Sequence, residues 1–198
     1  MRYTGPKAKR CRATGINLYG NQKFDRLRKP YPPGAHGQAR KKKSSYAEHL
    51  IEKQKIKWSY GCTERQLRKI YKEAAKTKTN TGLLILQILE SRLDNVIFKS
   101  GLFASRSQTR QLVSHGHVLL NGQRVFTPSI RLKVGDKLNF KSKSQKFIKT
   151  LTEDWKSVPQ VWLSVDKDSL TIEVKALPTR DQIDQTFNEQ FLVEYYSH

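Results

Sequence analysis

The sequence predicts an α+β fold. A mainly helical N-terminal domain carries an extended basic arm, followed by an inserted module of two helices and a β-hairpin, then a small C-terminal strand and helix segment. Three observations lead there. Pro and Gly crowd the first 45 residues, apolar residues recur at helical spacing behind capping signals between 45 and 114, and an Asn-Gly pair separates two β-prone runs at 117–126.

The arm comes first. Gly5-Pro6, Gly15, Gly20, Pro30, Pro32-Pro33-Gly34 and Gly37 break any long helix or strand. Tyr3, Leu18, Tyr19, Phe24, Leu27 and Tyr31 are more apolar than a solvated tail needs, so the arm is expected to order against a partner. A helix follows over 45–59, with Ser45 as its N-cap. Thr63 and Gln66 form a T-x-x-Q capping box that opens a helix running to about Lys76. In it Leu67, Ile70, Tyr71 and Ala74 make one apolar stripe, and Arg65, Arg68, Lys69 and Lys72 lie off that stripe. The next helix, over 82–93, is apolar nearly all round and is expected to be buried.

From Ser91 onward the pattern tightens. A short helix starts at Asp94 and ends near Gly101. Ser105 and Gln108 open another that stops at Gly116. Asn121-Gly122 then joins 117–120 to 123–126 as a hairpin, and 137–140 gives a further strand. Residues 141–149 read as a Lys/Ser-rich link, 161–165 and 170–174 as strands, and 188–196 as a short docked helix. The expected division is an arm at 1–45, a helical domain at 46–91 completed by 151–198, and a module at 92–150.

Charge points to a polyanionic partner. The chain has 198 residues and a formal net charge of +21, with 36% hydrophobic residues against the usual ~45–50%. Residues 1–78 hold 22 Lys/Arg against 5 Asp/Glu, 79–150 hold 12 against 3, and 151–198 hold 4 against 9. Cations confined to the first two thirds mark a binding surface rather than a general solubility bias. The acidic last quarter is expected to face away from the polyanion. Cys11 and Cys62 form neither a disulfide framework nor a CxxC zinc pattern, which suits a reducing compartment. The N-terminus has no apolar signal core, and the longest apolar stretch, 83–89, is far short of the ~20 residues that span a bilayer.

Catalytic patterns are missing. The five histidines (His36, His49, His115, His117 and His198) show no metal-ligand spacing, and there is no G-x-S-x-G elbow and no phosphate-binding glycine loop. No enzyme, cofactor or metal is expected. Nucleic-acid signals are stronger. Arg106 and Arg110 project at i, i+4 near a helix N-terminus, with Ser105 and Ser107 as extra donors and Asn121 and Arg124 on the hairpin. Arg40, Lys41, Lys42 and Lys43 form a basic run. Tyr46, Trp58, Tyr60 and Tyr71 interleave the basic residues, but Tyr71 and Trp58 are better read as core. RNA is favoured over DNA, because no single helix is long and basic enough to read a major groove and no dimer element is visible.

Many short stretches, in order, resemble the S4 family of small-subunit ribosomal proteins, bacterial type. They include Arg2-Tyr3-Thr4-Gly5-Pro6, Pro33-Gly34-Ala35-His36-Gly37, Glu52-Lys53-Gln54-Lys55, Tyr60-Gly61 and Glu64-Arg65-Gln66. Further on come Arg92-Leu93-Asp94-Asn95-Val96, Arg110-Gln111-Leu112-Val113-Ser114-His115, Asn121-Gly122 and Val193-Glu194-Tyr195-Tyr196-Ser197. The resemblance implies an RNA-binding module around 92–150 and direct binding to small-subunit rRNA, in the 5′ domain at a helical junction and early in assembly. It implies ribosomal protein S5 as a neighbour, near where mRNA enters, and a place in the ribosome of a bacterium or of an organelle that encodes the protein. Some members hold zinc through four N-terminal cysteines; only Cys11 stands in that region here, so none is expected. The full set of expected RNA contacts adds Arg2, Tyr3, Arg10, Arg12, Lys53, Lys55, Arg92, Ser114, His115 and His117 to the residues above.

Two other readings compete. Arg92-Leu93-Asp94 resembles the neighbourhood of a pseudouridine synthase's catalytic Asp, but only about 48 residues follow the module. A free-standing RNA chaperone would not need the long arm.

Overall fold

The computed structural model describes residues 3–25, 29–39, 42–153 and 157–197, without the Glu153 side chain. Two compact units emerge. One comprises residues 1–86 and 184–198, the other residues 87–183.

The first unit is helical. α1 (Lys7–Thr14) is followed by a single 3-10 turn at Gln22–Phe24, then α2 (Ser45–Ser59) and α3 (Glu64–Ala74). α4 (Thr81–Glu90) crosses the unit boundary, and α8 (Glu189–Ser197) returns to the first unit. The N-cap of α2 is Ser44, one residue earlier than expected: its side chain accepts from the Ala47 N–H. The capping box at Thr63 is formed in both directions. The apolar stripe of α3 is turned inward, with Leu67, Ile70 and Ala74 buried, and no residue of α4 is exposed.

The arm is not wholly extended. α1 begins just after Pro6 and ends at Gly15, whose φ of +74° and N–H to the Cys11 carbonyl close the helix. Cys11 and Leu18 are buried, and the Leu18 carbonyl accepts from the buried Ser59 hydroxyl of α2. The basic sequence therefore hid a helix with one small apolar face.

In the second unit, α5 (Leu93–Lys99) and α6 (Arg106–Ser114) precede β1 (Val118–Leu120), β2 (Gln123–Arg124) and β3 (Lys137–Phe140). α7 (Ser142–Glu153), β4 (Leu163–Asp166) and β5 (Thr171–Val174) follow. The five strands form one antiparallel sheet in the order β2-β1-β3-β5-β4. Register fixes its faces. Val118 pairs with Phe140, Leu120 with Leu138, Leu138 with Ile172, and Leu163 with Val174. One face is therefore apolar, while Arg124, Lys137, Asn139, Glu173 and Ser164 alternate onto the other. Leu93, Val96 and Ile97 of α5, Leu112 and Val113 of α6 and Ile148 of α7 pack with the apolar face in one core.

Two expectations change here. The Lys/Ser-rich link is helix α7, because Ser144 and Ile148, one turn apart, are buried among polar neighbours. The strands at 163–174 complete the module's sheet rather than the N-terminal helices. β5 covers the edge that β3 would otherwise expose, so only residues 184–198 rejoin the first unit.

Candidate nucleic-acid interface

α3 presents its cations outward. Arg65, Arg68, Lys69 and Lys72 fall at i, i+3, i+4, i+7, roughly opposite the buried stripe, and all four are exposed. Among the described residues no carboxylate pairs with any of them. Lys42 and Lys43 are also exposed, just before α2. Arg2, Arg40 and Lys41 lie outside the described residues.

Other cations of this unit are turned to internal work. Lys53 is buried, donates to Glu64 at 3.2 Å, and sits 4.2 Å from the Tyr195 ring centroid. Lys55 pairs with Glu52 on its own helix. Partial burial pushes the Glu64 carboxyl up, but bonds from Lys57 and the Tyr196 hydroxyl and the charges of Lys57 and Lys53 win, holding it near a pKa of about 2. The Arg10 guanidinium lies 3.3 Å from the Tyr3 ring centroid and 5.0 Å from that of Trp58. Arg12 donates to the carbonyls of Tyr31 and Pro32 at 3.0 and 3.2 Å, tying α1 to the Pro-rich segment. Tyr60 is buried against Phe187 and Tyr71 packs on Tyr196, so both serve the core, while Tyr46 is exposed beside Tyr195.

In the module, one carboxylate organises two arginines. Arg92 donates through Nε and Nη2 to the two oxygens of Asp94 at 3.1 and 2.8 Å, and both residues are buried. Arg110 donates to the same Oδ2 at 3.2 Å. Arg92, grouped with the RNA contacts on sequence, is bound fork to fork by Asp94. Arg106 donates through Nε to Asn95 Oδ1 at 2.7 Å and lies 4.6 Å from the Phe98 ring centroid. Asn95 in turn donates to the buried Glu90. The Thr109 hydroxyl donates to the Asp94 carbonyl at 2.8 Å, fixing α6 on α5. Thus Asp94, which the sequence offers as a cap or as a partner for a nearby Arg or backbone N–H, and Asn95, which the sequence assigns no contact, set the aim of Arg110 and Arg106. Their signal was their place two and three residues after Arg92, at a helix start.

Ser105 caps α6 by accepting from the Gln108 N–H. That bond gives it a local structural duty. Asn121 has one too: at φ +49° it makes the hairpin turn with Gly122 at φ +83°, and its amide accepts from the Lys137 N–H and donates to Asp136. Ser114 is exposed at the end of α6 and bonds back to the Arg110 carbonyl. Arg124 crosses back over the α6–β1 junction, donating to the Gly116 carbonyl at 2.9 Å. A Cβ on Gly116 would sit 2.5 Å from Arg124 Nε, and its φ is +69°, so this close approach requires glycine. Exposed His115 and half-buried His117 flank Gly116.

The arrangement is one of cations set on helices, a chemistry suited to phosphate. Residues 2–90 match the Ribosomal protein S4/S9 N-terminal domain, and residues 91–138 match the S4 domain. The chain is 48% identical to the small ribosomal subunit protein uS4 of Cutibacterium acnes, over 99% of this chain and 98% of that one. It is 45% identical to the protein of the same name from Gloeobacter violaceus, over 99% and 98%. Against that of Borreliella burgdorferi strain ZS7 it is 46% identical, over 96% and 95%. With the two family models matched in order over residues 2–138 and near-half identity along nearly the whole length, the chain belongs to the uS4 family of small-subunit ribosomal proteins.

Proposed function

We propose that this chain is a structural constituent of the small ribosomal subunit that binds small-subunit rRNA directly. The observation that carries the reading is a pair of cationic surfaces, one on each compact unit: the exposed α3 row, and the half-buried α6 arginines with the hairpin's exposed Arg124. Lys and Arg held on helices neutralise crowded phosphates and release counterions, so that like-charged RNA helices can pack together. Its place is in the ribosome. Among the described residues no helix is long and apolar enough to cross a membrane.

The finer reading names the 5′ domain of that rRNA at a helical junction, an early step in assembly, and S5 and incoming mRNA as neighbours. The residues proposed to touch RNA are Tyr3, Lys42, Lys43, Arg65, Arg68, Lys69, Lys72, Arg106, Arg110, Ser114, His115, His117 and Arg124, with Arg2, Arg40 and Lys41 retained from the sequence. Three functional parts are proposed: the arm, the N-terminal helices, and the module that begins near residue 92. No catalytic step is proposed. Asp94 is buried and both its oxygens are taken by arginines, which supports a structural role for it.

The test is the salt dependence of rRNA binding by Arg106→Ala with Arg110→Ala. The log–log slope should fall by about two, the contribution of two lost phosphate contacts. An unchanged slope would remove both arginines from the interface.

A further inference from the structure

Around the α6–β1 junction, cationic groups from four elements converge, and among the described residues no carboxylate pairs with them. His115 ends α6, and its ring centroid lies 6.1 Å from that of His117, just before β1. Arg124 of β2 reaches back to the carbonyls of Gly116 and His115. Lys141, after β3, is joined to this corner by its N–H, which donates to the His117 carbonyl at 2.9 Å. Ser144 of α7 is buried, and its hydroxyl lies 2.8 Å from His117 Nδ1. Among the described residues, the charges that lower the His117 pKa are those of His115, Arg124 and Lys141. The Lys141 ammonium has no carboxylate partner among the described residues.

We propose that His117, Ser144, His115, Arg124 and Lys141 form a proton-linked phosphate subsite, which grips an RNA backbone phosphate with His117 protonated and so couples RNA affinity to pH. The inference rests on the RNA-binding reading above and adds Ser144, Lys141 and the proton to it.

The hydrogen-bond chemistry gives Ser144 a specific part. With His117 neutral at Nδ1, the Ser144 hydroxyl donates to the ring. When Nδ1 gains a proton, the ring donates to the Ser144 oxygen, and the hydroxyl hydrogen is freed to donate to a phosphate oxygen. Protonation thus adds one positive charge and one donor together.

The energetics fix the sign. In the free protein, burial of the ring first, and then the charges of His115, Arg124 and Lys141, hold the His117 pKa below its ordinary 6.5. A phosphate among these cations offsets their repulsion and raises that pKa, so binding takes up a proton. Affinity therefore climbs as pH falls through the interval between the bound-state and free-state values, and is independent of His117 above that interval.

The experiment measures binding of the full chain to a small-subunit rRNA 5′-domain transcript at fixed ionic strength, from about pH 8 to pH 5.5, for wild type and for His117→Gln. Wild type should gain about tenfold or less per pH unit beyond the gain of the variant, as one linked proton allows. Equal pH responses in the two proteins would overturn the subsite's proton link. Loss of specific binding by wild type at every pH would overturn the rRNA reading instead. Should His117→Gln fail to fold, NMR titration of the His117 ring in wild type decides the matter. Inorganic phosphate should raise the midpoint, and in Ser144→Ala it should raise it less. A midpoint that phosphate leaves unmoved contradicts the proposal.

Discussion

The cations of α3 and those of α6 look alike in sequence and are handled in opposite ways. On α3, Arg65, Arg68, Lys69 and Lys72 stand exposed, and no carboxylate holds them among the described residues. On α6, Arg106 and Arg110 are each gripped from α5, by Asn95 and Asp94. The first arrangement supplies charge that can follow an RNA backbone at the cost of side-chain entropy on binding. The second has spent that entropy in folding, so its guanidinium planes are aimed before RNA arrives. On the proposed reading both regions contribute salt-sensitive attraction, and the α6 pair adds preset geometry.

Removing the α3 row tests the first half of this contrast most severely. Replacing Arg65, Arg68, Lys69 and Lys72 together with Ala should lower the salt slope of rRNA binding by about three to four. The unfolding free energy should move by about 1 kcal/mol or less, since exposed cations contribute little to the fold. Salt titration and urea unfolding of the same variant check both. A slope kept at its wild-type value would leave α3 facing solvent.

Asp94→Ala should act the other way, on stability first. It removes the carboxylate that binds buried Arg92 through two hydrogen bonds, and removal of one member of a buried pair costs about 3–5 kcal/mol. Denaturant unfolding reads this loss directly. A change under about 1 kcal/mol would mean that Arg92 finds water or another acceptor, and that Asp94 is not the organiser described here.

A gentler probe is Asn95→Ala made with and without Arg106→Ala. If Asn95 acts through Arg106, its effect on RNA affinity, about tenfold at most, should vanish in the Arg106→Ala background, while its effect on unfolding persists. Independent effects on affinity would separate the two residues.

Smallest is the pH effect of Glu64. Its pKa is depressed from 4.5 to about 2 in the folded chain, so its stabilisation is complete above the unfolded value and fades as pH falls through the folded one. Thermal melts of wild type and Glu64→Gln should differ near neutrality and converge toward about pH 2. A gap that stays constant with pH would assign the effect to packing.

Much of this was readable in the chain. Thr63 and Gln66, Ser105, and Asn121-Gly122 each form a local motif whose geometry depends on neighbouring backbone alone, and each appears where expected. The outward row of α3 followed from spacing. What escaped depended on distant partners. α1 lay hidden among lysines because Cys11 is its one buried residue, although Pro6 before it and Gly15 after it frame the helix. α7 was masked by the same composition. The strands at 163–174 could be found but not placed, because the pairing of β5 with β3 spans about thirty-five residues and no turn motif announces it. The internal partners of Arg92, Lys53 and Arg12 were not legible, because a cation in a basic chain looks free until its acceptor is known. Asp94, Glu64 and the carbonyls of Tyr31 and Pro32 are those acceptors.

The central claim is recognition of folded small-subunit rRNA rather than of any polyanion. Its most direct test is binding to a small-subunit rRNA 5′-domain transcript at about 0.2–0.3 M salt with excess tRNA as competitor. Tight binding that survives the competitor is the predicted result. Binding that falls to the tRNA level would contradict it and leave the chain a polycation that meets every folded RNA alike.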